Sequence, residues 1–187
     1  MKESRCVKLT LGPLTGLWYR ALGFRHWATR LSTAHAATSR SRYSAGSPTN
    51  PLYRVLYLGE NHQVVVYEIG ALLGPLSSPM SNPAHSWMIL TLDVRLDHVV
   101  DLCDSSQQKI ISTNDQELTG VWANASSATP TQKLGAALNA VPNLEGMVVP
   151  SAKPGGRRNL VLFPDKFGPR SSVVFRNELS GRSENLR

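Results

Sequence analysis

Acidic residues are missing from the early part of this chain. Between Glu3 and Glu60 there is none, while Arg5, Lys8, Arg20, Arg25, Arg30, Arg40, Arg42 and Arg54 all fall there, and the whole sequence carries a formal net charge of +7. Three readings of that imbalance compete. An Arg- and Ser-rich, acid-poor amino terminus is like an organellar transit peptide, but this one runs directly into what reads as core strand. A nucleic-acid-binding module would account for the sign of the charge, yet the cations are not interleaved with a recognisable binding motif. The third reading is a pocket for a phosphate-bearing small molecule, with the remaining cations solvated or facing an acidic partner protein.

Other absences narrow the field. The two cysteines, Cys6 and Cys103, lie far apart and match no ligand spacing, which argues against a disulfide framework and a zinc site and suits a reducing cytosol. His26, His35, His62, His85 and His98 show no metal-ligand spacing either, so no metal is expected. No apolar run approaches the roughly 18 to 20 residues that cross a bilayer, which predicts a soluble, cytoplasmic protein with no membrane partner. There is no G-x-G-x-x-G after a strand, no G-x-x-x-x-G-K-[ST] and no G-x-S-x-G elbow. The Gly-rich, basic "PGGRRN" joins two strands instead of opening a helix.

What is present reads as one domain with a real core, given 187 residues of which 41% are hydrophobic. Residues 1–13 read as a loosely attached lead-in, 14–168 as the domain, and 169–187 as a short strand, Ser172 to Phe175, with a polar tail expected to fray. Leu14 to Leu22 predicts a first strand with Gly16 as a turn, His26 to Ala37 is weakly helical, and Tyr53 to Gly59 is a clear strand. Directly after it, Val64, Val65, Glu68, Ile69 and Leu72 fall at helical spacing, predicting an amphipathic helix that ends at Gly70 or Gly74. "SWMILTLDV" and "HVVDLC" read as two further strands, with a Pro- and Ser-rich loop from Gly74 to His85 before them. Asp115 to Val121 and Thr131 to Ala140 read as helices, the second capped by Thr129 or Thr131. Met147 to Val149 and Leu160 to Phe163 are apolar, β-branched runs flanking Ser151. Strands clustered with a few helices, without regular alternation, favour an α+β fold.

Single residues do not name a function. Glu68 sits on the apolar side of its helix, where a carboxylate is expensive without partners, although an edge acid paired with an arginine reads the same way. Arg42 with Tyr43 is a loop arginine beside an aromatic, Arg20 ends the first strand, and Ser151 after Pro150 has the look of a turn residue.

In order, however, these pieces resemble the RES-domain family, named for its Arg, Glu and Ser. The carriers are "LWYRAL", "SRYSAG", "RVLYLGENHQVVVYEIGAL" and "GMVVPSAKPGGRRNLVLF", spread over Leu14 to Phe167. That family is known as the toxin half of bacterial toxin–antitoxin pairs. The resemblance implies a fold similar to ADP-ribosyltransferases: two small twisted sheets with flanking helices and a cleft that holds NAD as substrate. It implies NAD cleavage by hydrolysis or phosphorolysis, or transfer of ADP-ribose to a protein such as phosphoribosyl-pyrophosphate synthetase. It also implies a cognate antitoxin with a helix-turn-helix domain. The alternative of another class, suggested by the amino-terminal charge, is a non-catalytic nucleic-acid-binding module. Carried over, Glu68 matches the acid, Arg42 and Tyr43 the loop pair that contacts the dinucleotide, Ser151 the serine and Arg20 the first-strand arginine; Tyr57 joins the binding set. Many members have Gly-Arg-Trp-Asn where this chain has Ser41-Arg42-Tyr43-Ser44.

The residue types suit that role. A carboxylate such as Glu68 can stabilise the oxocarbenium-like sugar left when the nicotinamide–ribose bond breaks. Arginine's planar fork suits a pyrophosphate, with Arg42 as the first clamp and Arg20 as the second. Tyr43 can stack on the nicotinamide, and Ser151 can hydrogen-bond the ribose or the carboxamide. Arg157 and Arg158 are expected to face solvent or an acidic partner.

Overall fold

The chain, described by a computed structural model over residues 3–73, 86–153, 156–177 and 180–186, begins with α1 (Glu3–Cys6) and β1 (Gly12–Gly23). Two 3-10 turns, Phe24–Thr29 and Ala34–Thr38, lead to the short pair β2 (Arg40–Ser41) and β3 (Ser44–Ala45). Then come β4 (Leu56–Gly59), α2 (His62–Leu73) and the long β5 (Trp87–Asp101). Three helices, α3 (Ser105–Ile110), α4 (Asp115–Thr119) and α5 (Pro130–Asn139), precede β6 (Gly146–Pro150), β7 (Arg158–Leu162), β8 (Ser172–Arg176) and β9 (Ser183–Leu186).

Seven strands form a sheet in the order β1-β4-β7-β6-β5-β8-β9, and β1 also pairs with β5, so the sheet returns on itself. It has two antiparallel halves, β4-β7-β6 and β1-β5-β8-β9. They join through a short parallel pairing of β5 with β6 at Val99 to Asp101 and a single β1–β4 pair, Tyr19 with Gly59. These halves are the two sheets expected of an α+β domain, held in one hydrogen-bonded system.

Side-chain alternation sorts the core into two layers. Leu160 and Leu162 of β7 join Trp18, Leu58, Leu92 and Val94 in one cluster. Val161 and Phe163 face the other way, onto Leu118, Leu134 and Leu138 of the helices. Burial on both faces is why β7 reads as a continuous apolar run. The helices start where short polar side chains take up free amides. Asp104 accepts from Ser106 N and Asn114 from Glu117 N, while Thr129 and Gln132 form a capping box with Pro130 in the first turn of α5.

Several expectations need correction. "SWMILTLDV" and "HVVDLC" are one strand, because Arg95 lies on the exposed face of β5 while Leu92, Val94 and Leu96 continue the buried face. Gly16 is no turn; it lies within β1 opposite Val94. The strand expected from Tyr53 is formed only from Leu56, and the weak helix over His26 to Ala37 is two 3-10 turns. Of the two ends expected for α2, Gly70 is passed and the helix runs to Leu73, in keeping with the second; the loop from Gly74 to His85 lies outside the described residues. The lead-in is not loose: Cys6 is 1% exposed within the helical core layer. Nor does the tail fray, since β9 pairs with β8 over Val173 to Arg176 and buries Leu186.

The fold also accounts for part of the uneven charge. Arg30 pairs with Glu184 and Arg54 with Asp165, joining the acid-free amino-terminal stretch to acids from the carboxyl-terminal half. Arg157 and Arg158, about half exposed, flank Glu60.

Candidate active site

Two neighbouring elements bring Glu68 to the sheet. Gly59 ends β4, and a Cβ there would lie 2.9 Å from the Val64 and Val65 side chains, so a glycine lets α2 approach closely. Asn61 Oδ1 accepts from Val64 N at 3.0 Å at the start of the helix. With Val64 and Val65 buried, Glu68, one turn on, is half-buried and lines a cavity of about 310 Å³. The other walls come from Arg40, Arg42, Tyr43, Tyr57, Trp122 and Asn159.

The Glu68 carboxylate is held through one oxygen. Oε1 accepts from Asn159 Nδ2 at 3.0 Å and lies 3.3 Å from Ser151 Oγ. Ser151 is 4% exposed, between β6 and β7, with its N–H donating to Arg157 O at 2.7 Å. Its hydroxyl is 2.6 Å from Lys153 O and accepts from Lys153 N at 3.1 Å. One hydroxyl hydrogen cannot serve both Lys153 O and Glu68, and the shorter contact favours the carbonyl.

The β2–β3 ribbon presents the arginine. Tyr57 pins it from below: its hydroxyl accepts from Tyr43 N at 3.0 Å and lies 2.8 Å from Ser41 Oγ. From the side, Gln132 of α5 donates to Ser41 O at 2.8 Å. Arg42 then reaches the end of α4, donating to Gly120 O at 2.5 Å and Leu118 O at 3.4 Å, which suits a cation at a helix carboxyl end. Tyr43 is 1% exposed, donates to Leu118 O at 3.3 Å and stacks on Tyr57 with centroids 6.5 Å apart, so what it gives the cavity is a wall. Burial pushes the Tyr57 phenol up to about 12 and raises the Tyr43 phenol as well, so both rings are neutral donors and acceptors near neutral pH. Burial and nearby Asp101 likewise push the Cys103 thiol up to about 12, leaving no reactive thiolate there.

Glu68, Arg42, Tyr43, Tyr57 and Ser151 thus converge, although Ser151 stands behind Glu68 instead of lining the cavity. Arg20 does not reach it. Its NH1 donates to Arg30 O at 2.7 Å, and it lines a larger basic pocket of about 760 Å³ with Arg25, His26, Arg30 and His35. A groove past Ser41 and Tyr57 lies between the two spaces. Burial lowers the Arg20 guanidinium to about 10, still charged at neutral pH. Sequence reasoning missed Asn159, Trp122 and Arg40. Asn159 could have been found as the polar residue on the same face of β7 as Val161; Trp122, in an irregular loop, gave no signal.

No group of three or more His, Cys, Asp or Glu side chains suited to a metal ion occurs among the described residues. No helix among them is long and apolar enough to cross a membrane. A comparison with curated proteins finds no match. Among solved structures, the chain resembles one from the M. tuberculosis MbcT-MbcA toxin-antitoxin complex, with a TM-score of 0.70 over 99% of this chain and 91% of that one. At 18% identity that likeness is one of fold. A family model described as the RES domain matches residues 17–179, which span most of β1, the strands from β4 to β8 and every wall of the Glu68 cavity, and by that match the chain belongs to the RES-domain family.

Proposed function

We propose that this protein is the toxin of a toxin–antitoxin pair and consumes NAD by cleaving its nicotinamide–ribose bond. The observation that carries the reading is a carboxylate anchored through one oxygen in a cavity that also presents an arginine and aromatic walls. The C1′–N bond breaks with its electron pair leaving on nicotinamide, and the ribose C1′ is left electron-poor. Glu68 stabilises that charge and orients the ribose hydroxyls. The NH2 and Nε groups of Arg42, which make no hydrogen bond among the described residues, are available to the pyrophosphate. Tyr57 and Trp122 are better placed than the packed Tyr43 to meet the nicotinamide ring. Ser151 serves as a support of Glu68. Water, phosphate or a protein side chain then adds to C1′, giving hydrolysis, phosphorolysis or ADP-ribosylation.

The cognate partner is an antitoxin carrying a helix-turn-helix domain, in keeping with the toxin–antitoxin complex to which the fold is similar. The pair acts in the cytoplasm. The test is mass spectrometry of the purified protein with NAD, with and without phosphate and a bacterial lysate, beside Glu68→Gln. Nicotinamide release that needs Glu68 is expected, and the fate of ADP-ribose selects the acceptor. No release in any condition, together with salt-dependent binding of DNA or RNA, would overturn the enzyme reading in favour of a nucleic-acid-binding module.

A further inference from the structure

Glu68 has two oxygens in different surroundings. Oε1 takes the Asn159 amide at 3.0 Å and faces Ser151 Oγ at 3.3 Å, while Oε2 makes no hydrogen bond among the described residues. Since the Ser151 hydrogen is better used on Lys153 O, 2.6 Å away, Asn159 is the donor committed to the carboxylate. The amide's orientation follows from chemistry: its oxygen turned the same way would meet a carboxylate oxygen.

Asn159 is well placed to hold that geometry. It is in β7, paired with Gly59 of β4 on one side and Val149 of β6 on the other. A central strand position leaves its Cα little freedom, and Gly59 opposite contributes no side chain to compete for the space. Alternation puts Asn159 and Val161 on the cavity side, while Leu160 between them is buried in the cluster with Trp18 and Leu58.

We infer that Asn159 is a positioning residue that fixes the Glu68 carboxylate through Oε1, so that Oε2 is the oxygen presented to the substrate's developing positive charge. The inference rests on the NAD-cleaving reading of the site and adds a residue that reading does not contain. It treats the Asn159 amide as acting through Glu68, with no contact of its own to the reacting atoms required.

The experiment compares wild type with Asn159→Ala and Asn159→Asp in NAD turnover across pH, and solves the crystal structure of Asn159→Ala. For Asn159→Ala, kcat should fall by about 100-fold, the scale of a misplaced catalytic group, with KM little changed. In the crystal, its Glu68 carboxylate should turn away or occupy two rotamers while Val149 and Val161 stay in place. Asn159→Asp sets two carboxylates side by side, which do not both ionise readily. A proton shared at acid pH restores an O–H donor to Glu68, so this variant should be most active at acid pH and fall as pH rises, a limb wild type lacks. A purely structural asparagine predicts the opposite slope, with Asn159→Asp least active at acid pH, where the shared proton removes charge that Glu68 supplies. Asn159→Ala with wild-type kcat, a loss confined to KM, or an unmoved Glu68 carboxylate would overturn the inference. If wild type itself releases no nicotinamide, the NAD reading fails, and the position of Glu68 in the variant crystal alone decides the orienting role.

Discussion

The hydroxyl of Tyr57, on β4, lies 3.0 Å from the backbone nitrogen of Tyr43, on the ribbon that carries Arg42. Through that contact and the one to Ser41 Oγ at 2.8 Å, the central sheet sets the position of the arginine. Tyr57→Phe keeps the ring stacked on Tyr43 but leaves the Tyr43 N–H without its acceptor. A loss of roughly 1–3 kcal/mol is expected for an unsatisfied buried donor. Urea unfolding should show a lower midpoint with an unchanged slope. Activity should fall through KM, because the clamp is loosened while Glu68 is untouched; an unchanged KM would mean that the ribbon does not depend on this pin.

The same phenol predicts an alkaline limit to stability. Its value is raised from 10.0 to about 12 by burial, so the fold favours the protonated form. That contribution is complete below pH 10, where the unfolded chain is still protonated, and is lost as pH rises through about 12. Tyr43 and Tyr53 are raised in the same direction and add to it. Wild type should therefore lose stability from about pH 10 upward, and Tyr57→Phe should show a shallower decline. Parallel profiles for the two proteins would contradict the assignment.

How far the site could be read in the sequence depends on how local each signal is. Arg42, Glu68 and Ser151 were each ambiguous alone, a loop arginine, an acid on an apolar helix face and a turn serine, and it was their order along the chain, through its resemblance to the RES-domain family, that singled them out. Asn159 was hidden by "PGGRRN", whose glycines and cations read as loop although Arg158 already begins β7. Arg20 was misplaced for a different reason. The end of a strand says which residue is there, not which space it enters, and that is set by the long-range pairing of β1 with β5. The same pairing made one strand of what local charge at Arg95 and Asp97 suggested were two. Helix caps were easier, since Thr129, Pro130 and Gln132 are contiguous.

Packing of α5 against the ribbon offers a third test. A Cβ on Gly135 would lie 2.0 Å from Tyr43 O and 3.0 Å from the Tyr53 hydroxyl, so Gly135→Ala must push the helix or the ribbon away. Overpacking of this kind costs roughly 1–3 kcal/mol despite alanine's better helix propensity. Gly12→Ala is the control, because its Cβ would meet nothing within 4 Å. A lower melting temperature and weaker NAD turnover are expected for Gly135→Ala alone. Equal stability of the two variants would show that the α5–ribbon contact is loose.

Glu145 tests the closure of the sheet away from the cavity. This carboxylate, 1% exposed, accepts from Asp97 N at 2.7 Å and His98 N at 2.9 Å through Oε2, and from Gly168 N at 2.7 Å and Ser171 Oγ through Oε1. It therefore ties β5 to the segment between β7 and β8, and four donors share one group. Glu145→Ala leaves all four without it and should cost roughly 3 kcal/mol or more. Glu145→Gln is milder: its oxygen can serve Asp97 and His98, and Ser171 can turn to accept from the amide, so that Gly168 N is the donor left over. Hydrogen exchange should report this order, with Gly168 exposed to exchange in Glu145→Gln and the whole 163–171 segment in Glu145→Ala. If both variants exchange like wild type, the segment is held by its apolar contacts, and the buried acid is not what fastens it to β5.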